Sequence, residues 1–314
     1  MARRCLTTFL ITTFALLAIV VVGTRLLPKH MRHLPVAESG NSPGADYYLS
    51  TDNATTLDQL VFHHRLEDMA EPLRNADVVF VGNSRSLFGF PESVCDQYFA
   101  ARNLRWFHVG FPSENNVFTQ HILEQSDCRP KLMIVNADDF FTGNMSTIAR
   151  RSIDTSKFGA HKLYWESRLS YRLRHRLHAW LPHPPTMFFA PESMIVHRSV
   201  RNGSWLIGET RGHSTDVNIV RSAKTATAIE VEFAAQFKSF VEERGGELVL
   251  TYVPSADDKR DRAEKIAQEI GCRFVSPIVT DLKTIDGSHL DAASAHRFAT
   301  ATLQQLDDLK IASR

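Results

Sequence analysis

The run Val78-Val79-Phe80-Val81, followed at once by Gly82-Asn83-Ser84, limits the possible folds more than any other stretch. Four consecutive β-branched or aromatic residues leave no polar face for water. The run therefore suits a strand buried on both sides, as in the middle of a parallel sheet. Small, turn-forming residues then deliver Ser84 at the strand's carboxyl end, the rim where open α/β sheets bind ligands. Two readings of Ser84 stand side by side. It is the cap of a following helix, or it is a nucleophile served by the unpaired N–H groups of that helix's first turn.

Similar runs recur at 104–110, 131–137, 247–253 and 273–276. Helical patterns at 55–73, 92–102, 117–125, 223–244 and 258–270 alternate with them. Five strands joined to helices by short connections imply an open, mostly parallel sheet with helices on both faces. The alternation lapses across 142–222, which reads as an insertion and as cover for the rim. Within it, residues 150–178 carry eight Lys and Arg against Asp154 and Glu166, and Tyr164, Trp165, Leu169, Leu173 and Leu177 fit one side of a helix. Such a helix rests on an anionic membrane or acidic glycan, or is a solvated basic face over the core. Residues 194–207, with Asn202-Gly203 at their middle, suit a β-hairpin.

Residues 6–23 contain no charge and are long enough to cross a bilayer, and no small-x-small cleavage site closes them. An uncleaved anchor over 1–27 and a Pro-, Gly- and Ser-bearing tether over 28–52 follow, with the folded domain at 53–314. The formal charge of +1 supplies no global field for nucleic acid, and no recognition motif for it occurs. No histidine pattern has metal-ligand spacing, so neither a metal nor another cofactor is expected. Beyond the membrane edge stand Cys95, Cys128 and Cys272. Either Cys95 pairs with Cys128 or all three are unpaired and buried.

The second half of the chemistry lies at Asp286-Gly287-Ser288-His289-Leu290, ahead of Asp291, a good helix cap. An acid and an imidazole three residues apart in a tight loop can touch. The carboxylate then fixes the ring's tautomer while the other ring nitrogen faces outward as a base. His296, on the following helix, is expected to be structural.

With these blocks the chain resembles the SGNH (GDSL-like) hydrolase superfamily over roughly 75–140 and 223–310. Gly82-Asn83-Ser84 stands where that family has Gly-Asp-Ser, and Asp286-x-x-His289 matches its C-terminal block. The resemblance implies Ser84, Asp286 and His289 as the catalytic triad, with Gly110 as an oxyanion-hole glycine beside the Ser84 N–H. The family's third block, Gly-x-Asn-Asp, is Asn136-Ala137-Asp138-Asp139 here. A carboxylate at 138 would repel an oxyanion, so Asn115 or Asn136 stands in as side-chain donor, or the backbone groups act alone.

The fold so implied is α/β: a three-layer, flavodoxin-like sandwich around a five-stranded, mostly parallel sheet, with an N-terminal transmembrane helix and an α/β-hairpin insertion. A tethered form with an insertion looks like the branch that acts on exported polysaccharides, among them alginate acetylation proteins and the D-alanine transfer protein of teichoic acids. That likeness implies O-acyl transfer on an exported or cell-envelope glycan, with an acyl donor or a membrane acyl-transfer partner. It implies a single-pass inner-membrane protein with a periplasmic domain. An envelope esterase with the same triad and a non-catalytic subunit of a polysaccharide assembly complex are the alternatives.

Overall fold

The computed structural model describes residues 46–51, 56–180, 196–207, 215–216, 220–221 and 225–308, with 171–180 as backbone alone. The expected anchor and most of the tether lie outside those residues. Among the described residues no helix is long and apolar enough to cross a membrane. The chain divides into two compact units, Met1–Ser42 with Ser170–Pro191, and Pro43–Leu169 with Glu192–Arg314. The second contains the sheet and the candidate site.

In chain order the elements are β1 (Tyr47–Thr51), α1 (Asp58–His64), α2 (Ala70–Arg74), β2 (Val78–Gly82), α3 (Ser84–Gly89), α4 (Glu92–Ala100), β3 (Trp106–Gly110), α5 (Asn116–Gln125) and β4 (Leu132–Asn136). The insertion follows as α6 (Thr147–Asp154), α7 (Lys157–Trp180), β5 (Val196–Ser199) and β6 (Trp205–Ile207). Then come α8 (Ala228–Glu242), β7 (Glu247–Thr251), α9 (Arg260–Glu269), β8 (Arg273–Phe274) and α10 (Ala292–Asp308).

The main sheet runs β8-β7-β4-β2-β3, every neighbouring pair parallel. This is the doubly wound order of flavodoxin-like sheets, whose ligand crevice opens between β2 and β4, where the winding reverses. Strand periodicity decides which side chain serves which face. Val79, Val81, Phe107, Val109, Met133 and Val135 pack with α1, α5 and α8. Val78, Phe80, Trp106, Leu132 and Ile134 pack with α4 and α10. The unbroken apolar runs exist because both faces are covered.

Three expectations change. Residues 47–51, read as tether, form β1, which pairs antiparallel with β5 and buries Tyr48 and Leu49. Five residues with little periodicity carry a weak strand signal; a partner about 150 positions away makes the strand. The helix expected over 55–73 breaks at Arg65, which is left-handed at φ 53. Finally, the hairpin of β5 and β6 flanks the outer edge of β3, where the His108 N–H donates to Asn202 O at 2.8 Å. It abuts an edge strand that would otherwise lack a partner on that side, so this part of the insertion serves the sheet's edge.

Cys95 belongs to the core on one face of the sheet and Cys128 to the core on the other, so the two remain free thiols, as does Cys272. Burial raises the thiol pKa of Cys128 and Cys272 to about 12, which leaves them protonated and unreactive at neutral pH.

Candidate active site

The turn after β2 places Ser84 as the first residue of α3. The cap of that helix is Asn83, whose side chain accepts from the Arg85 N–H at 3.0 Å. Capping therefore does not occupy Ser84. Its N–H, the first in the helix, has no acceptor within the helix. Gly82 permits the helix to start so close to the strand: a Cβ there would lie 2.7 Å from Ser86 Oγ.

The Asp286–His289 loop arrives from the other end of the chain. It is pinched by a bridge between Thr284 and Leu290 and turned by Gly287 at φ 79. Asp286 Oδ1 accepts from the backbone N–H groups of Ser288 and His289, each at 2.8 Å. Its Oδ2 meets His289 Nδ1 at 2.7 Å, and His289 Nε2 lies 2.9 Å from Ser84 Oγ. Burial alone would raise the Asp286 carboxyl. The hydrogen bond with His289 and those from the two backbone N–H groups outweigh it and hold the carboxyl below its usual range. The order is carboxylate, imidazole, hydroxyl, with each contact at hydrogen-bond distance. Asp291 caps α10 by accepting from the Ser294 N–H at 2.8 Å, as expected, and His296 is exposed on that helix.

The imidazole is held from below by the Phe88 ring, centroid to centroid 4.4 Å. Phe88 in turn packs with Leu87, Val196 and Trp205, the last two from the hairpin. The insertion thus buttresses the base.

The expected oxyanion donors fare unequally. Gly110 is not placed as one. Just past the end of β3 the Phe111 N–H donates to Gly82 O at 3.1 Å, toward β2, whereas within the strand the His108 N–H and the Gly110 carbonyl face the hairpin. Strand alternation sends the Gly110 N–H to that same outer side, away from β2 and Ser84. Asn115 caps α5 through its carbonyl oxygen, which accepts from the Val117 N–H at 3.2 Å. Asn136 is buried, and its carbonyl oxygen accepts from the Val253 N–H at 3.0 Å. Its Nδ2 is enclosed and has no partner among the described residues.

The conflict posed by Asp138 is resolved by a residue that sequence reasoning passed over. Asp138 is buried and forms an ion pair with Arg85, which directly follows Ser84. Burial lifts the Asp138 carboxyl above its usual range, and the Arg85 guanidinium works against that lift. Arg85 Nε also donates to Ser288 Oγ at 2.9 Å, and Asn83 Nδ2 donates to Asp138 O at 3.0 Å. Arg85 joins the Ser84 helix, the loop after β4 and the loop that holds His289. A cation next to Ser84, opposite an acid in the third rim loop, was the available signal. Arg85→Gln should lower kcat/KM about 10- to 100-fold, the equivalent of about 1–3 kcal/mol for a buried carboxylate that keeps only Lys259, 4.0 Å away, as a cation. Adding Asp138→Asn should recover part of that loss in steady-state assays, because the buried charge that lost its near partner is then gone. A double variant no better than Arg85→Gln would remove the electrostatic account.

Among the described residues no group of acidic, histidine and cysteine side chains could hold a metal ion. Compared with known proteins, the chain matches no family model, no curated protein and no solved structure.

Proposed function

We propose that the protein is a serine acyl-transfer enzyme of the SGNH-hydrolase kind, acting on O-acyl groups of an exported or cell-envelope polysaccharide. The observation that carries the chemistry is the chain of contacts from Ser84 Oγ through His289 to Asp286, at 2.9 and 2.7 Å. Ser84 Oγ attacks the acyl carbonyl while His289 Nε2 takes its proton. Asp286 keeps the ring oriented and stabilises the imidazolium. The oxyanion falls to the Ser84 N–H at the start of α3, with Asn115 as the side-chain donor; the buried Asn136 amide is out of a substrate's reach. His289 then protonates the departing alkoxide, and the acyl-serine passes to a sugar hydroxyl or to water. The glycan, the periplasmic site and the inner-membrane anchor rest on the resemblance and on the uncharged stretch 6–23.

One observation favours hydrolysis as the second reading. The Asp286 side chain is 48% exposed, so the triad lies at an open rim that water reaches. Product analysis with an acylated donor, with and without acceptor glycan, separates transfer from hydrolysis. A fluorophosphonate probe tests the nucleophile itself. The full chain should be labelled and Ser84→Ala should not. An unlabelled parent would favour the tethered, non-catalytic subunit.

A further inference from the structure

Over residues 157–169 helix α7 bears two apolar faces, and among the described residues only one of them is covered. Ala160 and Tyr164 are buried against the core, and Tyr164 and Arg168 both bond to Glu67. On the opposite side stand Phe158, Trp165 and Leu169, 82%, 58% and 63% exposed, at positions i, i+7 and i+11 with Lys162 between them. Leu163 and, on α6, Ile148 are exposed nearby. Of seven large apolar side chains exposed among the described residues, five therefore lie between 148 and 169. A helix of a soluble domain ordinarily keeps its outer face polar, and clustered exposed apolar groups mark a surface with a partner.

The surroundings indicate which partner. Arg150, Arg151, Lys157 and Lys162 are exposed along the same stretch, against only Asp154 and Glu166. Aromatic and aliphatic side chains flanked by cations are what an interfacial helix presents to a bilayer. The apolar groups enter the headgroup boundary, and the cations meet anionic lipid. We infer that the exposed Phe158–Leu169 face of α7 docks on an anionic phospholipid bilayer surface. The inference is independent of the triad. If the stretch 6–23 anchors the chain, this contact would lay the domain against the membrane instead of leaving it free on a tether.

Trp165 reports the contact directly. In the full chain mixed with vesicles of brominated phosphatidylcholine, adding phosphatidylglycerol should quench Trp165 emission about twofold. Emission of Trp165 is isolated as the difference between the parent and Trp165→Phe. The quenching should vanish in about 0.5 M salt, where screening shortens the Debye length to a few Å. It should vanish as well when Arg150, Arg151, Lys157 and Lys162 are changed to Gln, and when Phe158 and Leu169 are changed to Ser. Hydrolysis of a soluble ester should be unchanged in all three variants, which separates this surface from the triad. Equal emission with and without phosphatidylglycerol overturns the inference. So does quenching indifferent to salt and to the Gln changes, or a self-associated state in which a second copy covers Trp165.

Discussion

His289→Ala should lower kcat on a soluble aryl ester about 10⁴- to 10⁶-fold, the scale on which serine triads fail without their base. The reason is geometric. His289 Nε2 is the group placed 2.9 Å from Ser84 Oγ to take its proton, and a serine hydroxyl without a base is a poor nucleophile. Asp286→Asn should cost about 10⁴-fold, because an amide at that position favours the wrong imidazole tautomer. The double variant Ser84→Ala, His289→Ala should be little worse than either single change, since the two act as a unit. Burial pushes the Asp286 carboxyl up, but His289 and two backbone N–H groups outweigh it and hold the carboxyl below the usual carboxylate range. A carbon-13 titration should therefore find Asp286 still ionised where ordinary aspartates take up their proton. A His289→Ala enzyme within tenfold of the parent would sink the mechanism.

The largest effect on stability is expected at the hairpin. Arg198 is wholly buried and donates to Asp58 Oδ2 at 2.8 Å, His108 O at 2.7 Å, Gly110 O at 2.9 Å and Gly203 O at 2.9 Å. Its guanidinium stacks 4.4 Å over the Phe62 ring. Asp58 also accepts from Tyr48 Oη at 2.8 Å and Trp205 Nε1 at 3.0 Å. This ion pair joins β1, β5, β6, α1 and the carboxyl end of β3. Asp58→Ala leaves the guanidinium buried without its counter-ion and should destabilise the protein by about 3–5 kcal/mol. Urea unfolding should show this as a lower midpoint at an unchanged slope. Asp58→Ala combined with Arg198→Met should regain much of the loss, because no buried charge then lacks a partner. A midpoint in Asp58→Ala equal to that of the parent would refute the argument. Because Val196 and Trp205 support Phe88 beneath His289, activity should fail before global unfolding in the single variant.

The sheet was legible from local pattern. Val78–Val81, Leu132–Val135 and Leu248–Leu250 are apolar on both faces because helices cover both, and that requirement is printed in consecutive residues. The two halves of the candidate site were legible for a similar reason. Gly82-Asn83-Ser84 and Asp286-x-x-His289 are short motifs whose internal geometry follows from nearest neighbours, and a doubly wound sheet brings loops at its carboxyl edge together.

What escaped the reading depends on partners far apart in the chain. Tyr47–Thr51 looked like tether because its strand exists only against β5. Gly110 was assigned a donor's role that strand alternation denies it, once the hairpin is seen to occupy the outer edge of β3. Arg198 carries no local signal, and Asp138 looked like a charge at odds with its site. Their partners Asp58 and Arg85 lie 140 and 53 positions away. By itself the sequence determined the layered sheet, the turn that carries Ser84 and the local geometry of the Asp286–His289 loop, because hydrophobic period and turn chemistry act over a few residues. The tertiary structure alone decided which buried charges meet and which backbone N–H groups lie near Ser84. Those depend on distances across the fold, and no periodicity records them.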